Sequence, residues 1–135
     1  MMKIMIVFKG VIIEESLTDL NVLSHVKIVS TRVEPVTDAH ETPWAKQWTL
    51  HNVEISGEEA LHVAGEISNS LVADHAWYAD FKSLELHYII YRGKVFMVDR
   101  TSADQYNEAK QYGLLLGIPA HQVDFHPDVE LWERK

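Results

Sequence analysis

Two apolar segments lie on either side of Arg92-Gly93, and this is the feature that most constrains the fold. Residues 84–91 and 94–100 are rich in branched and aromatic side chains. Two residues separate them, and glycine supplies the positive φ angle that a tight hairpin turn requires. The sequence therefore predicts an antiparallel hairpin, and with it a β-sheet.

Three earlier segments also have the composition of strands. Residues 3–13, 25–33 and 45–55 are rich in isoleucine, valine and other β-formers. Gly10 interrupts the first of them and predicts a bulge or bend there. The chain thus begins with three strands and later adds the hairpin, which gives a sheet of about five strands.

Two segments have helical periodicity behind serine caps. Ser56 with Glu59, and Ser102 with Gln105, have the spacing of capping boxes. Apolar residues then recur at helical spacing, over about four turns in the first helix, and Gly117 with Pro119 ends the second helix. The predicted order is βββ-α-ββ-α, an α+β fold with a mostly antiparallel sheet and both helices on one face.

Composition limits the possible functions. The 135 residues (1–135) fit one globular domain, and the absence of cysteine excludes disulfides and cysteine-ligated zinc. The chain shows no export signal and no apolar run of about 18 residues, which predicts a cytoplasmic protein without a membrane partner. A net charge of −8 with scattered basic residues disfavours nucleic-acid binding.

The most plausible pocket is predicted from two polar and aromatic loops. Residues 74–81 (DHAWYADF) form an aromatic connector after the first helix, and the loop DAHETPW precedes the third strand. Aromatic walls with a few polar groups are typical of ligand pockets. The alternative is that these aromatic rings only cover the end of the core. The candidate pocket residues are His40, Trp44, His75, Trp77, Tyr78, Asp80 and His87.

Histidine is the one residue type in excess, with eight in the chain. His51 and His87 lie within strands, where a histidine is usually buried and hydrogen-bonded to a neighbour; the alternative is that they line a pocket. His121, Asp124 and His126 could ligate a metal, but their spacing matches no closed structural site. The sequence therefore predicts no cofactor and no tightly bound metal.

Four runs of the chain carry a resemblance that spans nearly its whole length. They are TPWAKQWTLHNVEI, HAWYADFKS, YRGKVFMVDR and YGLLLGIP. With these runs the sequence resembles a small family of conserved hypothetical bacterial proteins without assigned biochemistry. The resemblance implies a self-contained bacterial domain and identifies no catalytic residue.

Two classes of function remain open. The first is a non-catalytic domain that binds a small ligand or a protein partner and forms a symmetric homodimer through its sheet. The second is a small hydrolase that uses histidine and carboxylate groups, with or without the assistance of a metal. Its site would contain His40, His75, Asp80, His87 and Asp124. The lack of any recognisable catalytic constellation favours the binding domain.

Overall fold

The described residues, 6–37, 46–125 and 127 of a computed structural model, form an antiparallel sheet and two α-helices. The six strands have the order β2-β3-β1-β4-β5-β6. Their bounds are β1 Val7–Ile13, β2 Lys27–Pro35, β3 Gln47–Ser56, β4 Tyr78–Lys82, β5 Leu86–Tyr91 and β6 Lys94–Asp99. Helix α1 spans Ala60–Ser70 and helix α2 spans Ala103–Leu115. The predicted α+β class with an antiparallel sheet is confirmed.

The sheet has one strand more than predicted, because part of the predicted connector is a strand. Tyr78–Lys82 pairs with β1 on one side and with β5 on the other. The observed order is therefore βββ-α-βββ-α. Ala79 and Phe81 are buried on one face and alternate with half-buried residues, but five residues at the end of an aromatic run are too few for this alternation to predict a strand.

The two helices pack on opposite faces of the sheet, which corrects the predicted single helical face. Tyr88 and Ile90 of β5 belong to one core cluster with Ile67 of α1. Their neighbours Ile89 and Tyr91 belong to a second cluster with residues of α2. Since successive side chains of a strand point to opposite faces, the sheet lies between the helices.

The turn and cap predictions have mixed outcomes. Tyr91 pairs with Lys94 around Gly93, whose φ is 75°, so the hairpin is confirmed. The Ser102 hydroxyl accepts the N–H of Gln105 at 3.2 Å and caps α2. The cap predicted at Ser56 is wrong, because the strand pairing of β3 continues through Ser56 and α1 begins only at residue 60.

Gly10 lies in a regular ladder, so the bulge predicted there is wrong. It pairs with Val53 on β3 and with Phe81 on β4 without a break in register. The irregularity of the sheet lies instead in β2, between Ile28 and Ser30. Gly10 serves a close approach of β1 to β4, because a Cβ there would overlap the backbone of β4.

Candidate functional site

The described residues of the predicted pocket are divided between the two faces of the sheet. Trp77 is buried in the α1-side cluster, with its ring 6.2 Å from that of Trp48. Tyr78 and Asp80 are on the α2 side, and His75 is half-buried before β4. His40 and Trp44 lie outside the described residues, so their approach to residues 74–81 stays a prediction.

On the α2 side, His87 joins a carboxylate to a phenol. Its Nε2 lies 2.7 Å from Asp80 Oδ2, and its Nδ1 lies 3.0 Å from the hydroxyl of Tyr106. An ionised carboxylate can only accept, so Nε2 carries the hydrogen and Nδ1 accepts the phenol O–H. Tyr106 is 1% exposed, and His87 is also buried. These hydrogen bonds connect α2 to the sheet inside the core.

Tyr78 binds the segment that follows α2 to the same face of the sheet. Its hydroxyl donates to the carbonyl of Gln122 at 2.6 Å, and its ring contacts Phe125 edge-on. Burial of the phenol raises the pKa of Tyr78, and the negative charge of Asp80 raises it further. The phenol therefore stays protonated and remains a hydrogen-bond donor at ordinary pH.

A second histidine array lies on the α1 face, near the edge of the sheet. The Nδ1 of His51 lies 2.8 Å from the hydroxyl of Thr31, and its Nε2 lies 3.0 Å from a carboxylate oxygen of Glu14. His51 is buried, whereas Thr31 is exposed on β2. Sequence reasoning placed His51 beside Val53 on a strand face but missed its two partners. No local motif could identify them, because only the strand register brings them together.

Glu15, next to this array, holds the turn after β1 against β3. Its carboxylate accepts the backbone N–H of Thr49 and, at 2.7 Å, the Thr49 hydroxyl. Burial of the carboxylate raises its pKa, but the hydrogen bonds from Thr49, together with those from the Glu15 backbone and the Gln47 side chain, lower it more. The net pKa of Glu15 is therefore below its ordinary value of 4.5.

We expect Glu15→Gln to remove part of the acid sensitivity of the fold. A depressed pKa contributes stability that is present above the unfolded-state pKa and is lost as the pH falls through the folded-state value. Thermal unfolding of both proteins, measured from about pH 7 to about pH 3, should therefore show a gap in Tm that narrows as the pH falls. Glu108→Gln, at an exposed position of α2, controls for the loss of a charge. A gap that stays constant with pH contradicts this account.

Strand β2 forms one edge of the sheet and is exposed along most of its length. It has nine residues, and β3 is its one neighbour within the sheet of described residues. Val29 and Val33 are 56% and 54% exposed, and Ile28 is also exposed. A long edge strand with exposed apolar side chains is a template for pairing with another strand.

The other candidate residues do not form a metal centre in the described part of the chain. No group of three histidine, aspartate or glutamate side chains in residues 6–37 and 46–125 is placed to hold a metal ion. Asp124 lies 3.2 Å from the Nζ of Lys110. His121 is in a 3-10 turn, and His126 lies outside the described residues. Of the predicted hydrolase set, the structure joins Asp80 to His87.

Comparisons with known proteins find no relative of this chain. No family model matches the chain, and neither the curated proteins nor the solved structures include a significant match. The described helices also include none with the length and hydropathy of a membrane span. The function must therefore be argued from the residues of the chain itself.

Proposed function

We propose that this protein is a small interaction domain whose β2 edge pairs with the β2 edge of a second copy. The observation that carries the proposal is the exposure of Ile28, Val29 and Val33 on a nine-residue edge strand. Edge strands of this kind are normally short, charged or covered, because their free N–H and C=O groups otherwise pair with another chain. β2 also contains Lys27, Arg32, Glu34 and Pro35, but it keeps three exposed apolar side chains over nine residues, which fits a strand that pairs as part of its function.

The rest of the sheet surface offers a weaker alternative for self-association. The opposite edge strand, β6, has six residues and begins and ends with charged side chains. The face beside α2, which no described element covers, presents Lys9, Asn52 and Ser30 around Val11. That face is mostly polar and does not require a cover. These comparisons favour the edge of β2 over the other surfaces.

Charge complementarity within β2 favours a second copy as the partner. After the irregularity at Val29, Arg32 and Glu34 share one face of the sheet, and Val33 lies on the other face. If two copies of β2 pair antiparallel about Val33, Arg32 stands opposite Glu34 of the partner subunit, and this pair occurs twice by symmetry. Each such cross-strand pair contributes about 0.2–1 kcal/mol. Arg32 and Glu34 already lie 3.4 Å apart within one strand, so the dimer joins four charges into a network.

This arrangement predicts a weak, symmetric dimer. The ladder covers about five residues of each strand, so the interface is at the small end of specific interfaces and the dissociation constant is in the micromolar range. Sedimentation equilibrium from about 5 to about 500 µM should show a shift from 15.5 kDa toward twice that mass.

Val33→Lys tests the interface, because it places two lysines opposite each other at the centre of the ladder. We expect this variant to stay monomeric. Val11→Lys is the matched control: Val11 is 38% exposed, but it lies on a central strand and on the uncovered face. The double exchange Arg32→Glu with Glu34→Arg should retain the dimer that Arg32→Glu alone weakens. A wild-type protein that is monomeric over the whole range contradicts the proposal, and so does a dimer that only Val11→Lys disrupts.

A further inference from the structure

We propose that Thr31, His51 and Glu14 form a nucleophilic site that accepts acyl groups from activated esters. The proposal does not rest on the dimer, since all three residues belong to one chain. It is also distinct from the hydrolase set predicted around the connector, because none of these three residues was in that set.

The hydrogen bonds of the array define the state of its hydroxyl. The ionised carboxylate of Glu14 accepts the hydrogen of His51 Nε2 across 3.0 Å. The Nδ1 atom then carries a lone pair, and it accepts the O–H of Thr31 across 2.8 Å. A hydroxyl that donates to an imidazole held by a carboxylate is the arrangement that activates a hydroxyl nucleophile.

Access distinguishes this array from the similar one around His87. In both, a buried imidazole joins a carboxylate to a hydroxyl. The hydroxyl of Tyr106 is enclosed by the core, so a substrate carbonyl cannot reach it. Thr31 is exposed on the edge strand, with its base buried behind it. Only the Thr31 array therefore combines an activated hydroxyl with an open approach.

The irregularity in β2 lies next to the residue that carries the hydroxyl. The register shifts between Ile28 and Ser30, which leaves Val29 without a partner residue on β3. Bulges of this kind occur at sheet edges and beside active sites, where they redirect the backbone. Val29 is two residues from Thr31. Thr31 is the first residue of the ladder proposed for the dimer, but its side chain points to the α1 face of the sheet and not toward the partner strand. Backbone N–H groups at such an edge can donate to the oxygen of a carbonyl under attack.

The reaction is an acyl transfer followed by hydrolysis. Thr31 Oγ1 bonds to the ester carbonyl carbon and its proton passes to His51 Nδ1, while Glu14 stabilises the resulting imidazolium. The bond to the leaving oxygen then breaks, and that oxygen takes the proton from Nδ1. Water attacks the acyl-threonine in the same way. The ester and one water give one acid and one alcohol, and the free threonine returns.

The test is the reaction of the full chain with p-nitrophenyl acetate. We expect a burst of nitrophenol of about one equivalent, and an acetyl group on Thr31 by mass spectrometry of the quenched protein. Thr31→Val, which keeps the shape and the β-propensity of the side chain, should lose the acetylation and lower the rate about 100-fold or more. Thr31→Ser should retain the reaction, and Glu14→Gln should slow it with the fold unchanged.

Two controls separate this site from background reactivity. Exposed histidines and lysines react slowly with the same ester, so the rate of Thr31→Val sets the background. Tyr106→Phe removes the hydroxyl of the buried array and should leave the burst unchanged. The proposal is overturned by an absent burst, by acetylation at residues other than Thr31, or by a Thr31→Val protein that reacts as fast as the wild type.

Discussion

Replacing Gly10 with alanine is expected to lower the free energy of unfolding by about 3 kcal/mol. A Cβ at Gly10 would overlap the carbonyl oxygen of Asp80 and the Cα and Cβ atoms of Phe81. Phe81 is fully buried between the helix and the sheet, and its backbone is held by pairing on both sides. The overlap therefore cannot be relieved by rotating a side chain, and β1 and β4 must separate.

Gly65→Ala is the matched control for this substitution. Gly65 lies inside α1, and a Cβ there would meet no atom within 4 Å. Alanine is the better helix former, so this variant should gain about 0.5–1 kcal/mol. Urea unfolding of the three proteins measures both changes. Equal effects of the two substitutions would show that the contact between β1 and β4 is looser than described.

His87→Ala is the second large effect, with an expected loss of about 3 kcal/mol or more. Truncation removes a buried ring that contacts Tyr106 and Phe125, and leaves a cavity between α2 and the sheet. It also removes the acceptor of the buried Tyr106 hydroxyl. The loss of this buried hydrogen bond adds to the loss of packing.

His62→Ala separates this effect from a general effect of losing a histidine. The side chain of His62 is 77% exposed on α1, and we expect a change within about 0.5 kcal/mol. Tyr106→Phe should cost less than His87→Ala, since it removes one hydrogen bond and leaves no cavity. If the unfolding free energies of His87→Ala and His62→Ala agree, the buried array does not hold α2 to the sheet.

The sequence predicts the strands whose own residues indicate a strand or a turn. Strand β4 is not predicted because its own residues give too little indication. The hairpin of β5 and β6 follows from two apolar runs and a glycine with positive φ. In β4 the residues YADFK alternate in burial, but five residues within an aromatic segment are too few to predict a strand. The strand is defined by β1 and β5, which pair on either side of it and are distant in sequence from each other.

The sequence of β5 does indicate that the helices lie on opposite faces, although the helical periodicity of the two helices does not. In β5, residues 87–91 are all buried, and such a continuous apolar run is typical of a strand covered on both faces. A helix pair on one face leaves half of these side chains exposed. The run therefore indicates one helix on each side of the sheet, as observed.

The two histidine arrays depend on the register between neighbouring strands, and this register cannot be read from the sequence. Along the chain, Thr31 is 20 residues from His51, and Glu14 is 37 residues from His51. The shift in β2 at Val29 places Thr31 opposite His51. Without that shift, the preceding residue, Ser30, would lie opposite His51. A one-residue change of register moves every side chain to the other face, so no spacing rule could have identified the triplet.

The central claim is that the edge of β2 pairs with a second copy, and amide hydrogen exchange tests it most directly. Exchange is measured by mass spectrometry at about 5 and about 500 µM, on peptides covering residues 27–35 and, as an internal control, residues 94–99 of the other edge strand. We predict that exchange in residues 27–35 slows at the higher concentration while residues 94–99 are unchanged. Equal exchange of residues 27–35 at both concentrations, or slower exchange confined to residues 94–99, would contradict the claim.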